Sequence, residues 1–171
     1  MNSSEISFAV ELRAQTADDA AFVDGLVRGH LLEALAGAPG LDPGPLLEMQ
    51  ARSREMMLVQ RFPDLQRRVG RIGGAPVASL LTGSLDGALH VAEIITAPDA
   101  RRRGVGAAIL RQVIAEAETA GKNATAFIFA SNGPSLALFA SVGFTVDLPP
   151  GAAQATATLR TNIIATRDMA V

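Results

Sequence analysis

The 171-residue sequence contains no cysteine, tryptophan or tyrosine, and only two histidines. Without cysteine there is no disulfide, no thiolate nucleophile and no cysteine-bound metal. His30 and His90 are far apart in the chain, and no patterned carboxylates join them, so no metal site is expected. No apolar run approaches the roughly 18 residues that cross a bilayer, and the reading is of a protein without a membrane span. The opening "MNSSEISF" lacks the basic start of a secretory signal. A cytoplasmic protein is the expectation. Fifteen Lys and Arg against seventeen Asp and Glu leave a net charge of −2, so no general basic field invites nucleic acid.

What is present suits one globular domain spanning residues 1–171: hydrophobic residues make up 49% and charged residues 19%. "FAVELRA", 8–14, alternates like a strand. Thr16 and Asp19 have capping-box spacing ahead of a helix carrying Phe22, Val23, Leu26, Val27, Leu31 and Leu35. The Pro/Gly-rich 36–45 breaks the chain. A Met-rich amphipathic segment, 46–62, follows, whose methionines suit either core filling or an adaptable substrate wall. "RRVGRI", "APVASLLT" and "LHVAEIIT", joined by "GG" and "GSLDGA", predict an antiparallel meander.

A helix over 104–120 then ends at Gly121, and the wholly apolar "ATAFIFA", 124–130, predicts a strand buried on both faces and parallel to the one before that helix. A short helix closing at Gly143, the strand "FTVDL" and a last strand within "ATLRTNIIAT", 157–166, complete the chain.

One place concentrates positive charge and bare backbone: "RRRGVGAA", Arg101 to Ala108. Gly104 and Gly106 remove side chains where a helix begins, with its unpaired N–H groups and the positive end of its dipole. That arrangement receives an anion, and the flanking arginines suit phosphate oxygens. Read without context, the same residues also describe an exposed basic turn. A mononucleotide loop lacks its Lys-Ser/Thr pair, and a dinucleotide fingerprint lacks its third glycine.

Context comes from "ITAPDARRRGVGAAIL" followed one strand later by "SNGPSLALFASVGF". Together these resemble the GNAT family of N-acetyltransferases. Arg101, Gly104 and Gly106 meet its Gln/Arg-x-x-Gly-x-Gly/Ala signature. Asn132, Leu138, Gly143 and Phe144 meet its second motif, with Ser135 where Ala is usual.

The resemblance implies an α/β fold, a mixed and mostly antiparallel central sheet with helices on both faces. It implies acetyl-CoA as the acyl donor, its pyrophosphate on the amides of Arg102, Arg103, Gly104, Val105, Gly106 and Ala107. Its pantetheine arm would lie between two splayed strands, beside the backbone of Thr96 and the side chain of Asn132, with Ser135 and Phe139 close to the thioester. Asn132 reads equally as a helix cap.

In direct transfer the attacking amine must lose a proton. Glu93, then His90, are the nearby titratable groups. Strict alternation puts them on opposite faces unless a bulge intervenes, and both also read as structural polar residues. Phe139 stands where many relatives carry the tyrosine that protonates the departing thiolate. The expected activity is acetyl transfer to an amine of a small molecule or peptide. The rival readings are an acyl-CoA-binding sensor that has lost its catalytic groups, and a nucleotide-binding protein. Pairing of two copies through the last strand would give a homodimer.

Overall fold

The computed structural model describes residues 9–36 and 43–160. Seven strands form one sheet in the order β1-β2-β3-β4-β5-β7-β6: β1 (Glu11–Ala14), β2 (Gln66–Ile72), β3 (Ala75–Leu85), β4 (Ala88–Thr96), β5 (Ala124–Phe129), β6 (Thr145–Asp147) and β7 (Gln154–Leu159). Every pairing is antiparallel except that of β4 with β5. The parallel pair needs a crossover, and α3 (Val105–Thr119) supplies it. The sequence expectation of a mixed, mostly antiparallel sheet with helices on both faces is met.

The two faces differ in chemistry. Opposite residues on paired strands share a face, so Gly70, Ala78 and Leu80 belong together with Ile94 and Thr96. On this side lies α3, whose Ile109, Leu110 and Val113 are fully buried. The short α4 (Gly133–Ser141) packs beside α3, adding Phe139 and Phe144 to the same core. Gly70 lets α3 approach, since a Cβ there would come 3.0 Å from Ile109 Cδ1.

The other face carries α1 (Ala20–Leu35) and α2 (Pro43–Arg61). Pro43 and Pro45 fall in the first turn of α2, where a missing N–H costs no helical bond. Leu47 and the following Phe62 are buried, while charge pairs hold the rest: Glu55 with Arg67 of β2, and Arg54 with Glu93 of β4. Met49, Met56 and Met57 point outward and are 57–63% exposed. These three are therefore not core filler.

Thr16 and Asp19 form the expected capping box, around a 3-10 turn that leads into α1. The buried Asp19 carboxylate accepts from the Thr16 N–H at 2.9 Å and pairs with Arg71 of β2. The backbone N–H bond above all holds its pKa below the ordinary value.

Two strand boundaries and one burial pattern depart from the sequence reading. The first strand begins at Glu11, and Phe8 lies outside the described residues. The last strand begins at Gln154, and it lies inside the sheet between β5 and β6, the latter pairing with Thr156 to Thr158. Residues 161–166, also assigned to that strand, lie outside the described residues. Third, β5 is not buried on both faces. Ala124, Ala126 and Ile128 face the α3 core, whereas Phe127 and Phe129 are exposed on the opposite side. Alternation survives there because the helices cover this face of β5 only in part: Arg61, the last residue of α2, lies over the Phe127 ring at 4.9 Å, and Phe129 beyond it is left bare. Among the described residues no helix is long and apolar enough to cross a membrane.

Candidate active site

The parallel ladder between β4 and β5 is short. Leu89, His90 and Val91 pair with Ala124, Thr125 and Ala126, and there the pairing stops. β5 runs on to Phe129 beside β7, and β4 runs on to Thr96 beside β3. The two strands thus part after Val91 and Ala126, leaving the β5-facing edge of Glu93 to Thr96 without a strand partner. Backbone N–H and C=O groups on such an edge seek another partner, and an amide-bearing chain laid in the split would provide one.

The N-terminus of α3 sits at the same end of β4. Gly104 is the N-cap, with φ +79° and no side-chain cap, so the first-turn N–H groups of α3 are left for an outside acceptor. Arg102 is also left-handed, at φ +57°. Two left-handed residues around Arg103 curl the backbone into a concavity of N–H groups suited to an anion. Val105 is buried, Gly106 and Ala107 are half-buried and Arg102 is exposed. A Cβ on Gly104 would meet only open space, so its glycine serves the left-handed turn. Gly106 serves a different purpose: a Cβ there would lie 2.9 Å from Leu138 Cδ2 of α4. The second glycine therefore brings α4 close to the mouth of α3.

Arg101 is not aimed into this concavity. Its Nε donates to the Thr96 carbonyl at 3.2 Å, and its Nη2 lies 3.0 Å from a Glu33 carboxylate oxygen. It fastens the end of β4 to the end of α1, and it occupies a carbonyl expected to serve the bound arm. Asn132 is the N-cap of α4, its Oδ1 accepting from the Ser135 N–H at 3.1 Å, which leaves its amide NH2 for a ligand. Phe139 is 3% exposed and meets Phe144 edge-on, ring centroids 5.0 Å apart. It packs in the core.

The bulge that would unite Glu93 and His90 is there. Leu81 pairs with Glu93, but Thr82 pairs with Val91, so Ala92 is the extra residue in β4. The shift reverses the alternation, and both side chains stand on the α2 face. Their surroundings differ. His90 is 2% exposed between Phe62 and Phe127, with ring centroids at 5.4 and 4.9 Å, and its Nδ1 is 2.8 Å from Thr125 Oγ1. Desolvation, then the nearby Arg61, lowers its pKa to about 4. A neutral, enclosed imidazole of that basicity is a poor acceptor for an amine's proton. Gly83 makes room for this stack, since a Cβ there would come 2.8 Å from Phe62.

Glu93 lies nearer the split and is paired with Arg54, whose Nε donates to Oε2 at 2.6 Å and whose Nη2 meets Oε1. Both side chains are 18% exposed. The sequence reading missed Arg54. Its position on the inward stripe of α2, with Leu47, Ala51 and Leu58, was the available signal, because a cation on a buried stripe requires a partner. Among the described residues no group of three or more His, Asp and Glu side chains is placed to hold a metal.

The fold recurs in solved structures. The PaiA N-acetyltransferase from Thermoplasma acidophilum, in complex with coenzyme A, matches with a TM-score of 0.70 at 12% identity, over 88% of this chain and 98% of that one. A phosphinothricin acetyltransferase from Sinorhizobium meliloti, in complex with acetyl-CoA, matches at 0.59 and 19% identity, over 88% and 86% of the two chains. The ribosomal-protein-S18-alanine N-acetyltransferase from Escherichia coli gives 0.58 and 20%, over 95% and 99%. No curated protein sequence matches the chain significantly. The model of the Acetyltransferase (GNAT) family matches residues 39–144, from ahead of α2 to the residue before β6. The match takes in the meander, the split between β4 and β5, and the Gly104–Gly106 turn together, and the chain belongs to the Acetyltransferase (GNAT) family.

Proposed function

We propose that this protein transfers an acetyl group from acetyl-CoA to the amine of a small molecule or peptide, by direct attack within a ternary complex. The observation that carries the reading is the split between β4 and β5 with the N–H concavity of Arg102 to Ala107 at its end. A pyrophosphate fits the concavity, and an amide-bearing arm fits the unpaired edge of Glu93 to Thr96. Acetyl-CoA bound there supplies a thioester carbonyl open to nucleophilic attack.

The protein's own groups do the rest. Asn132 offers its amide NH2 to the arm, and the N–H groups at the start of α3 neutralise phosphate charge. Glu93 stands on the α2 face beside the split, where it accepts the proton that the amine nitrogen sheds, directly or through one water. The C–S bond breaks as the N–C bond forms, and the thiolate departs. With a pKa of about 8.5 for an ordinary thiol, the thiolate leaves tolerably well and takes its proton from water or from Ser135. A cysteine-free sequence suits the reducing cytoplasm.

A second reading, an acyl-CoA-binding sensor, draws support from the core placement of Phe139 and the engagement of Glu93 by Arg54. One assay separates the two. Acetyl-CoA is supplied with a panel of amines, and free CoA thiol is followed. Amine-dependent release supports the transferase. Tight binding without release on any amine supports the sensor, and absence of acetyl-CoA binding removes both.

A further inference from the structure

The pair of Arg54 with Glu93 uses only part of the guanidinium. Nε and Nη2 form one edge of the fork, and both face the carboxylate of Glu93. The other edge, Nη1 with the second hydrogen of Nη2, is outside that pair and has the spacing that receives a carboxylate through two parallel hydrogen bonds. Arg54 therefore does more than fasten α2 to β4: it sets a bidentate cationic edge next to the carboxylate nearest the split. The pair is 18% exposed on each side, dry enough to strengthen such contacts and open enough to be reached. Across the split, on the same face, β5 presents Phe129, which is 62% exposed, beside Phe127, whose ring is partly covered by Arg61 and His90. Anion, cation and apolar surface thus converge on one side of the opening.

Building on the acetyltransferase reading, we infer that the acceptor is an α-amino acid, its amine directed to Glu93 and its carboxylate to the free edge of Arg54. The amine and carboxylate of an α-amino acid are carried on one carbon, as closely spaced as the two protein groups that would receive them. An apolar side chain would lie against Phe129. Glu93 need not release Arg54, because the acceptor binds the adjacent edge, which shares only Nη2 with the first. The guanidinium then bridges two carboxylates, one from the protein and one from the substrate.

The test compares each common L-amino acid with its carboxamide as acceptor, by acetyl-CoA-dependent CoA release and by calorimetric binding to the CoA complex. The best acid should exceed its amide by about tenfold or more in kcat/KM, the effect expected when a charge-assisted contact is lost. Arg54→Lys keeps the charge without the fork and should bring the acid-to-amide ratio close to one, mainly through the KM of the acid. Acetyl-CoA affinity and melting temperature of the variant show that it is folded. A wild-type ratio near one overturns the inference, as does a variant that loses acid and amide activity equally. If neither series is bound or acetylated while acetyl-CoA still binds, the inference fails and the cofactor assignment stands. If acetyl-CoA itself does not bind, the underlying reading has failed instead.

Discussion

Gly106 and Leu138 meet across the α3–α4 contact so closely that a single Cβ on the glycine would stand 2.9 Å from Leu138 Cδ2. The glycine at this point is thus required by packing as well as by the anion concavity. The two requirements come apart in a double substitution. Gly106→Ala gains about 1 kcal/mol of helix propensity and loses about 1–3 kcal/mol to overpacking. In a Leu138→Ala background the overpacking vanishes, so Gly106→Ala should raise the melting temperature there and leave it level or lower it in the wild type. Acetyl-CoA affinity should fall about tenfold or more with Gly106→Glu in either background, since a carboxylate in the concavity repels phosphate. Equal affinity by calorimetry would remove the turn from the cofactor site.

Arg102 is an arginine in the left-handed region, a conformation that costs an L-residue about 1–2 kcal/mol. Arg102→Gly relieves that strain and removes a charge at the phosphate site. The expected result is a protein of higher melting temperature with weaker, less salt-dependent acetyl-CoA binding. Arg101→Ala should act differently, loosening the junction of α1 with β4 while disturbing salt dependence little. Matching salt slopes for the two variants would show that both arginines serve the anion or that neither does.

Removing the carboxylate's proton-accepting ability with Glu93→Gln should reduce turnover most at low pH, where the amine is hardest to deprotonate, with acetyl-CoA affinity nearly intact. The affinity is the internal control. A variant that binds acetyl-CoA poorly would mean that Glu93 shapes the split rather than the chemistry.

His90 makes stability depend on pH. Its native pKa is depressed from 6.5 to about 4, so between those values the unfolded chain binds the proton more readily. Its contribution is fully present above pH 6.5 and is lost as the pH falls toward 4. The linkage amounts to about 3 kcal/mol at most. His90→Phe should flatten that part of the stability curve in urea unfolding. An unchanged curve would trace acid sensitivity to other groups, Asp19 first.

Phe139→Tyr tests the missing thiol acid. A hydroxyl added to a ring packed against Phe144 has no evident partner, and an unsatisfied buried hydroxyl costs about 1–3 kcal/mol. The expected outcome is a lower melting temperature with turnover not raised. Faster turnover would show that the ring's para position reaches the thioester.

Sequence periodicity carried the meander of β2 to β4 and the parallel β4–α3–β5 unit because tertiary packing agreed with local pattern at those places, whereas helices on both faces of the sheet followed from the family resemblance. Arg101, Gly104 and Gly106 marked the α3 mouth correctly, yet Arg101 joins Thr96 and Glu33, and nothing in a run of three arginines says which one turns away. β5 misled for a related reason. Apart from Thr125 its residues are apolar, but burial is decided by how far the helices reach across, and Arg61 at the end of α2 covers Phe127 only in part and leaves Phe129 bare. Arg54 was legible as a cation on the inward stripe of α2, but its partner was not, because a salt bridge between residues 39 apart leaves no local spacing to read.

The extra residue Ala92 gives the active strand an odd–even code. Every position of β4 beyond it is addressed to the face opposite the one that simple counting assigns. Deleting Ala92 would leave Glu93 opposite Leu81 and on the α2 face, because β4 would then alternate without interruption from Val91. Closing the bulge with Ala92 still in the strand would do the opposite: Ala92 would take the place opposite Leu81, Glu93 would turn toward Ile109 and Leu80, and Ile94 would face Arg54. The face that the carboxylate occupies is therefore set by how many residues of β4 oppose each residue of β3, and not by which side chains they carry.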